Sequence, residues 1–328
     1  MRKKIVSIMV LAIGLLALGA IGHVEAQTMT LKLAHMVSTS AHYHVGSVEL
    51  ARLVQERTKG AVKIDIFPAG QLGKGERELV EGLQIGTIDL VVTSTGPMGG
   101  FVPQMLVVDL PFLFRDNSHV DKVLDGPIGE GLLKELEKAG IKGIAFWENG
   151  FRNLTNNKRP VNRPEDVRGL KLRTMENEVH MEAFRNLGAD PTPMAWGEVY
   201  TALQQGVIDG QENPIGIIRT HKIYEVNKHL ALTGHVYSPA LLLMNDKKFK
   251  GLSPDFQKIF VEAGREAAKF ERRFNRESEA KWLEELKGFG MLITTPEKSA
   301  FQKATEPTYK KYEGRFGKEL IDRIVQTR

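Results

Sequence analysis

The sequence predicts an α/β protein of two lobes joined by a hinge, and three observations carry that expectation. Apolar residues alternate at every second position in short runs, and stretches with helical spacing separate those runs. The series then stops and begins again after Gly150. A chain of 328 residues also exceeds what one hydrophobic core usually serves.

The first strand is expected from Thr30 to Ala34, where Leu31 and Leu33 flank Lys32, and the second around Val62, Ile64 and Ile66. Between them Val48, Leu50, Ala51, Leu53 and Val54 recur at helical spacing from about Val45 to Thr58, and Lys59-Gly60 supplies the stop. The order continues with a helix near Glu76 to Ile85, a strand near Ile88 to Thr93, a helix near Ser118 to Ala139 and a strand near Ile144 to Trp147. Such alternation argues for a mainly parallel sheet with helices on its faces. After Gly150 come a one-turn helix near Pro164 to Val167, a strand Leu170 to Arg173 and a helix near Glu178 to Leu187. An extended Pro191-Thr192-Pro193, a helix from about Trp196 to Gln205 and a strand Val207 to Asp209 follow.

Apolar Tyr237 to Met244 reads as a strand that returns to the first lobe, which makes a hinge. From Ser253, an N-cap before Pro254, to about Lys287 there is no further proline, and Phe256, Phe260, Ala263, Ala267, Phe270 and Phe274 recur three or four residues apart. One helix here would run about 50 Å and brace both lobes; the alternative is two helices broken near Gly264. The expected division is 1–26 as a leader, 27–149 with about 239–278 as the first lobe, and 150–238 with about 279–328 as the second.

Arg2, Lys3 and Lys4 precede an apolar run from Ile5 to about Ile21, and Val24-Glu25-Ala26 resembles a signal-peptidase site, so the mature chain is expected to begin at Gln27 in the periplasm. The competing reading is a retained membrane anchor. Cysteine is absent, which removes disulfides, thiolate metal sites and a Cys nucleophile. Without the leader's three bases and one acid, the net charge of +5 becomes +3, too mild to argue for nucleic acid. The phosphate-binding, dinucleotide-binding, zinc-protease and serine-hydrolase motifs are missing, so no cofactor is expected. His35, His42 and His44 cluster in sequence, but their spacing fixes no metal site, and Ser278-x-x-Lys281 sits in a charge-rich helix without partner motifs.

The candidate chemistry is the holding of a carboxylate. Arg152 and Arg173 lie in separate short segments beside structure-breaking residues, followed by the loop Gln211-Glu212-Asn213-Pro214. A guanidinium offers a planar fork of donors that fits a carboxylate two bonds at a time. Phe67 to Gly73 and Ser94 to Pro97 follow strands at the position where parallel sheets commonly take ligands.

Together these residues resemble the solute-binding subunits of tripartite ATP-independent periplasmic (TRAP) transporters over essentially the whole mature chain. The runs that carry the resemblance are Phe67-Pro-Ala-Gly-Gln-Leu-Gly73, Leu110-Pro-Phe112, Gly169-Leu-Lys-Leu-Arg173, Pro191-Thr-Pro-Met194 with Glu198-Val-Tyr-Thr-Ala-Leu-Gln204, and Asp209-Gly-Gln-Glu-Asn-Pro214. The resemblance implies a periplasmic-binding-protein-like fold that closes over one organic anion, a membrane permease as partner, no catalysis and a monomer. It implies Arg173 as the principal carboxylate ligand, Arg152 as a second, Asn213 as the loop asparagine and Trp196 as the aromatic cover. In the first lobe it points to His35 or Met36, Gln71, Ser94 and Tyr237. Ser94 and Met36 stand where sialic-acid binders carry glutamate and asparagine, which argues against that ligand. Glu176 is a further candidate for selecting hydroxyls, against the alternative of a solvated acid. Outside this class, a receptor for an ATP-driven importer and a periplasmic organic-acid enzyme are the competing readings.

Overall fold

The computed structural model describes residues 28–328, so the expected leader and its cleavage after Ala26 lie outside the described residues. Nine strands form one sheet in the order β2-β1-β3-β8-β4-β7-β5-β6, with β9 on β8. They are β1 (Met29–Ala34), β2 (Val62–Phe67), β3 (Leu90–Ser94), β4 (Ile141–Asn156), β5 (Lys171–Thr174), β6 (Asp190–Pro193), β7 (Gly210–Asn213), β8 (His229–Asn245) and β9 (Leu292–Thr294).

The ends of this sheet are parallel, as the alternating pattern predicts: β1 pairs β2 and β3, and β5 pairs β6 and β7. Its middle is antiparallel, because β4 and β8 run past each other from Ile141 opposite Asn245 to Asn156 opposite His229. At about 3.3 Å per residue the 17 residues of β8 extend roughly 56 Å, enough to belong to both lobes. The pairing slips between Gly143 and Ala145, Glu148 and Gly150, and Arg152 and Leu154. Such irregularities interrupt the ladder where the two halves join. The sequence shows only the apolar parts of these strands, Ile144 to Trp147 and Tyr237 to Met244; the polar residues beyond them are buried too.

The helices are α1 (His42–Arg57), α2 (Glu76–Ile85), α3 (Asn117–Leu124), α4 (Pro127–Glu135), α5 (Glu178–Asn186), α6 (Trp196–Gln204), α7 (Ile215–Thr220), α8 (Asp246–Lys250), α9 (Pro254–Gly288), α10 (Lys298–Phe316) and α11 (Lys318–Gln326). The single helix expected near Ser118 to Ala139 is two, because Gly126 and Pro127 break the run between α3 and α4. The strand expected at Val207 to Asp209 begins instead at Gly210.

The long helix is unbroken over 35 residues, and Ser253 Oγ caps its start by accepting from the Phe256 N–H at 3.2 Å. Gly264 serves close packing there, since a Cβ at that position would lie 2.4 Å from Ile144 Cγ2 on β4. The N-terminal half of α9 buries Phe260, Ala263 and Ala267 against Leu50, Leu242 and Trp147, and its C-terminal half buries Trp282 and Leu286 against Val199, Ile218 and Leu230. One helix therefore braces both lobes. Tyr312, Phe316, Ile321 and Ile324 return to the first-lobe core beside Leu106, Val120 and Leu132, although 279–328 was expected with the second lobe. Among the described residues no helix is long and apolar enough to cross a membrane.

Candidate functional site

Arg173 is the penultimate residue of strand β5, and its backbone lies between Thr192 of β6 and Gln211 of β7. The side chain is 2% exposed, and its Nε and Nη2 donate to the Met194 carbonyl at 2.9 and 2.6 Å. Its Cζ sits 5.5 Å from the centre of the Trp196 ring, within the range of a cation–π contact. Burial drives its pKa down to about 10; Glu212 pulls the other way, and Arg152 adds to the fall. A guanidinium so placed, with no carboxylate bonded to it, favours an incoming anion.

Arg173 faces a cavity between the lobes. Asn213, at the end of β7, reaches the same wall and donates through Nδ2 to Gln211 Oε1 at 2.5 Å. Gln211 in turn donates to Thr155 Oγ1 at 2.8 Å, so a buried polar chain orients the asparagine. Trp196, the first residue of α6, lies edge-on to His221 at 5.1 Å and covers one side. From the first lobe, Ser94 at the end of β3 completes the set.

Of the alternative His35 or Met36, Met36 lies on this wall; the remaining candidates do not. Gln71 and Glu176 are exposed. His35 is fully buried and shares a hydrogen bond with His44, Nε2 to Nδ1, at 3.2 Å. Tyr237 is buried in the first-lobe core and donates to Glu148 Oε2 at 3.0 Å. Arg152 is paired with Glu212, held through Nε and through an Nη2 bond to Oε1 of 2.8 Å, both side chains being fully buried, while its Nη1 is buried with no hydrogen-bond partner among the described residues. Burial alone would raise the Glu212 pKa, but Arg152 and a hydrogen bond from His235 hold it well below the carboxylate range.

Six lining residues are not among the residues the sequence singles out: Val37, Tyr43, Glu76, Asn149, Met175 and Ile217. Glu76, the first residue of α2, reads as a helix-terminus acid. Tyr43 falls on the buried face of α1 and Asn149 just before Gly150, so neither stands out from its surroundings. In the structure the Tyr43 hydroxyl and Asn149 Oδ1 are buried without a protein partner. Buried polar atoms lacking partners are costly, so these two await one.

The lobes meet across the cavity mouth. The Ser38 N–H donates to His221 Nε2 at 3.1 Å, and Asn177 Nδ2 donates to Asp109 Oδ2 at 2.9 Å. A Cβ on Gly197 would stand 2.8 Å from the Lys74 carbonyl oxygen. These contacts describe a closed arrangement.

The chain is similar over most of its length to known solute-binding proteins. Residues 33–315 match the profile of bacterial extracellular solute-binding protein, family 7. A TRAP periplasmic solute-binding protein from Bordetella bronchispeptica, with density interpreted as pantoate, is 47% identical and superposes with a TM-score of 0.90 over 92% of this chain and 100% of that one. One from Polaromonas sp. JS666, bound to D-erythronate, is 45% identical with a TM-score of 0.90 over 92% and 99%. The 2,3-diketo-L-gulonate-binding periplasmic protein YiaO of Escherichia coli is 38% identical over 89% of each chain.

Proposed function

The chain belongs to bacterial extracellular solute-binding protein family 7, and on that premise we propose that it grips a small organic acid by placing the carboxylate on Arg173 and closing its lobes. It is a periplasmic TRAP receptor for a small organic acid, working with the membrane components of the transporter.

The observation that carries the Arg173 reading is the isolation of its charge. Arg173 is buried at a cavity between lobes, and its hydrogen bonds run to a neutral carbonyl. In the open form water surrounds such a group, where one ion pair is worth little; closure removes the water and strengthens each charge-assisted bond. The acid shifts the lobe equilibrium by its preference for the closed form, and contacts from both lobes create that preference. Asn213 and Trp196 belong with Arg173 on the second lobe, Ser94 with the first.

We read the chain as a carrier that returns its solute unchanged. Ser94 Oγ donates to Glu76 Oε1 at 3.1 Å and has no histidine beside it, so the wall holds no activated nucleophile. The chain acts as a monomer, exported with removal of residues 1–26. The division of the chain at the hinge is that of the sequence, with 312–324 added to the first lobe.

Thermal unfolding against a panel of organic acids tests the reading. A true ligand at 100 times its Kd raises stability by about 2.7 kcal/mol. The shift should vanish in Arg173→Ala; a shift retained in that variant would overturn the assignment.

A further inference from the structure

The cavity wall carries two charged residues, Arg173 from the second lobe and Glu76 from the first, and they form no ion pair with each other. Glu76 is held from one side only. Its Oε1 accepts from the Ser94 N–H at 3.2 Å, the Ser94 hydroxyl at 3.1 Å and the Thr93 hydroxyl at 3.3 Å. Its Oε2 has no hydrogen-bond donor among the described residues. Asn149 Oδ1, a second acceptor on the wall, is buried and unpartnered, and so is the Tyr43 hydroxyl.

We propose that Glu76 makes this receptor selective for hydroxylated monocarboxylates, accepting a hydroxyl of the solute on Oε2 while Arg173 holds its carboxylate, and that it excludes dicarboxylates. This rests on the Arg173 reading above. A carboxylate accepts hydrogen bonds and donates none, so its natural counterpart is an O–H group. Asn149 Oδ1 asks for the same kind of partner. A solute with a second carboxylate would bring an anion to a wall whose one cation is already engaged, beside the fixed charge of Glu76. Like charges brought together in a desolvated site repel strongly. The apolar wall between, Met36, Met175 and Ile217, suits a short carbon chain.

The test is calorimetry on the mature wild-type protein and on Glu76→Gln. One group of probes is D-erythronate, L-threonate and D-galactonate; the other is succinate, L-malate and fumarate. In the wild type a hydroxylated monocarboxylate should bind tightest. Glu76→Gln should weaken it about ten- to a hundredfold, the loss of one charge-assisted hydrogen bond, and should improve the dicarboxylates. Ser94→Ala keeps the charge of Glu76 and should retain the preference for monocarboxylates even where overall affinity falls. A general disturbance of the site would instead weaken both groups alike, and that result would remove Glu76 as the selector. So would a dicarboxylate as the tightest wild-type ligand. If that dicarboxylate also fails to bind Arg173→Ala, the arginine reading stands while the glutamate reading falls. A wild-type protein that takes neither group overturns both.

Discussion

Arg152 and Glu212, fully buried on the neighbouring strands β4 and β7, neutralise each other 60 residues apart in sequence. Their pairing leaves Arg173, among the buried arginines described, as the one without a carboxylate partner. One guanidinium is therefore neutralised within the sheet, and the other keeps the uncompensated charge that the proposed binding of an acid requires.

Replacing Arg173 separates binding from stability. Arg173→Ala should cost on the order of 2 to 5 kcal/mol of affinity for the cognate acid, because the solute's carboxylate is then desolvated without a partner. Arg173→Lys should lose much of it as well, since an ammonium cannot reproduce the fork. Without ligand, neither the alanine variant nor Arg173→Met should be less stable than the wild type, because a buried unpaired cation stabilises nothing. Calorimetry and denaturant unfolding read the two effects; normal binding by the lysine variant would rule out two-pronged recognition.

Glu212→Gln should behave in the opposite way. It leaves the Arg152 charge buried without its counter-charge and turns one of the two carboxylate oxygens facing Arg152 and His235 into a donor, so the fold should weaken by about 3 to 5 kcal/mol. Urea unfolding measures this directly. An unchanged midpoint would mean the pair contributes nothing where the lobes meet.

Gly197→Ala probes closure. Alanine is the better helix former, so the substitution ought to favour α6. Its Cβ, however, would meet the Lys74 carbonyl of the other lobe at 2.8 Å. We expect affinity to fall by roughly 1 to 3 kcal/mol at undiminished thermal stability of the free protein. Small-angle scattering should show a ligand-saturated variant less compact than the wild type; identical profiles would disprove the contact's role.

Acid should destabilise the protein. Burial pushes His35, His42 and His180 down to about 3 and His221 to about 4, so all four are neutral when folded. The unfolded chain protonates them near 6.5, so each contribution is full above that pH. Each is then lost as pH falls toward the folded value, at about 1.4 kcal/mol per pH unit. Buried Asp109, raised to about 7, acts in the reverse sense between about 4 and 7, and Glu271, raised by burial and by Glu148, acts with it. Four groups outweigh two. The unfolding temperature should drop between pH 7 and pH 4.5, and a flat profile would contradict the buried neutral histidines.

The sequence exposes what periodicity encodes and hides what burial of polar groups achieves. Strands β1 and β2 and the helix α9 are legible because their apolar residues recur regularly and Ser253 marks the start. The extent of β4 is hidden because Glu148, Asn149, Arg152 and Asn153 are buried yet polar, and a run of polar residues around Gly150 reads as a loop. The break at Gly126-Pro127 was written in the chain and outweighed by the apolar pattern around it. In the site, Ser94 and Asn213 end strands, Arg173 is one residue from the end of its strand and Trp196 starts a helix; Ser94 and the arginine stand out from their neighbours, whereas Trp196 and the role of Asn213 rest on the family resemblance. Arg152 resembles them locally, and only its distant partner Glu212 distinguishes it. Glu76 is obscured in the same way, since its bonds to Thr93 and Ser94 span 17 and 18 residues.

Tyr312, Phe316, Ile321 and Ile324 fill the core that Leu79, Leu83 and Val91 begin. A nascent chain therefore cannot finish its opening half until the far segment has left the ribosome, and shorter intermediates keep an apolar surface uncovered. The same delay means that no amino-terminal fragment should survive alone as a tightly folded unit.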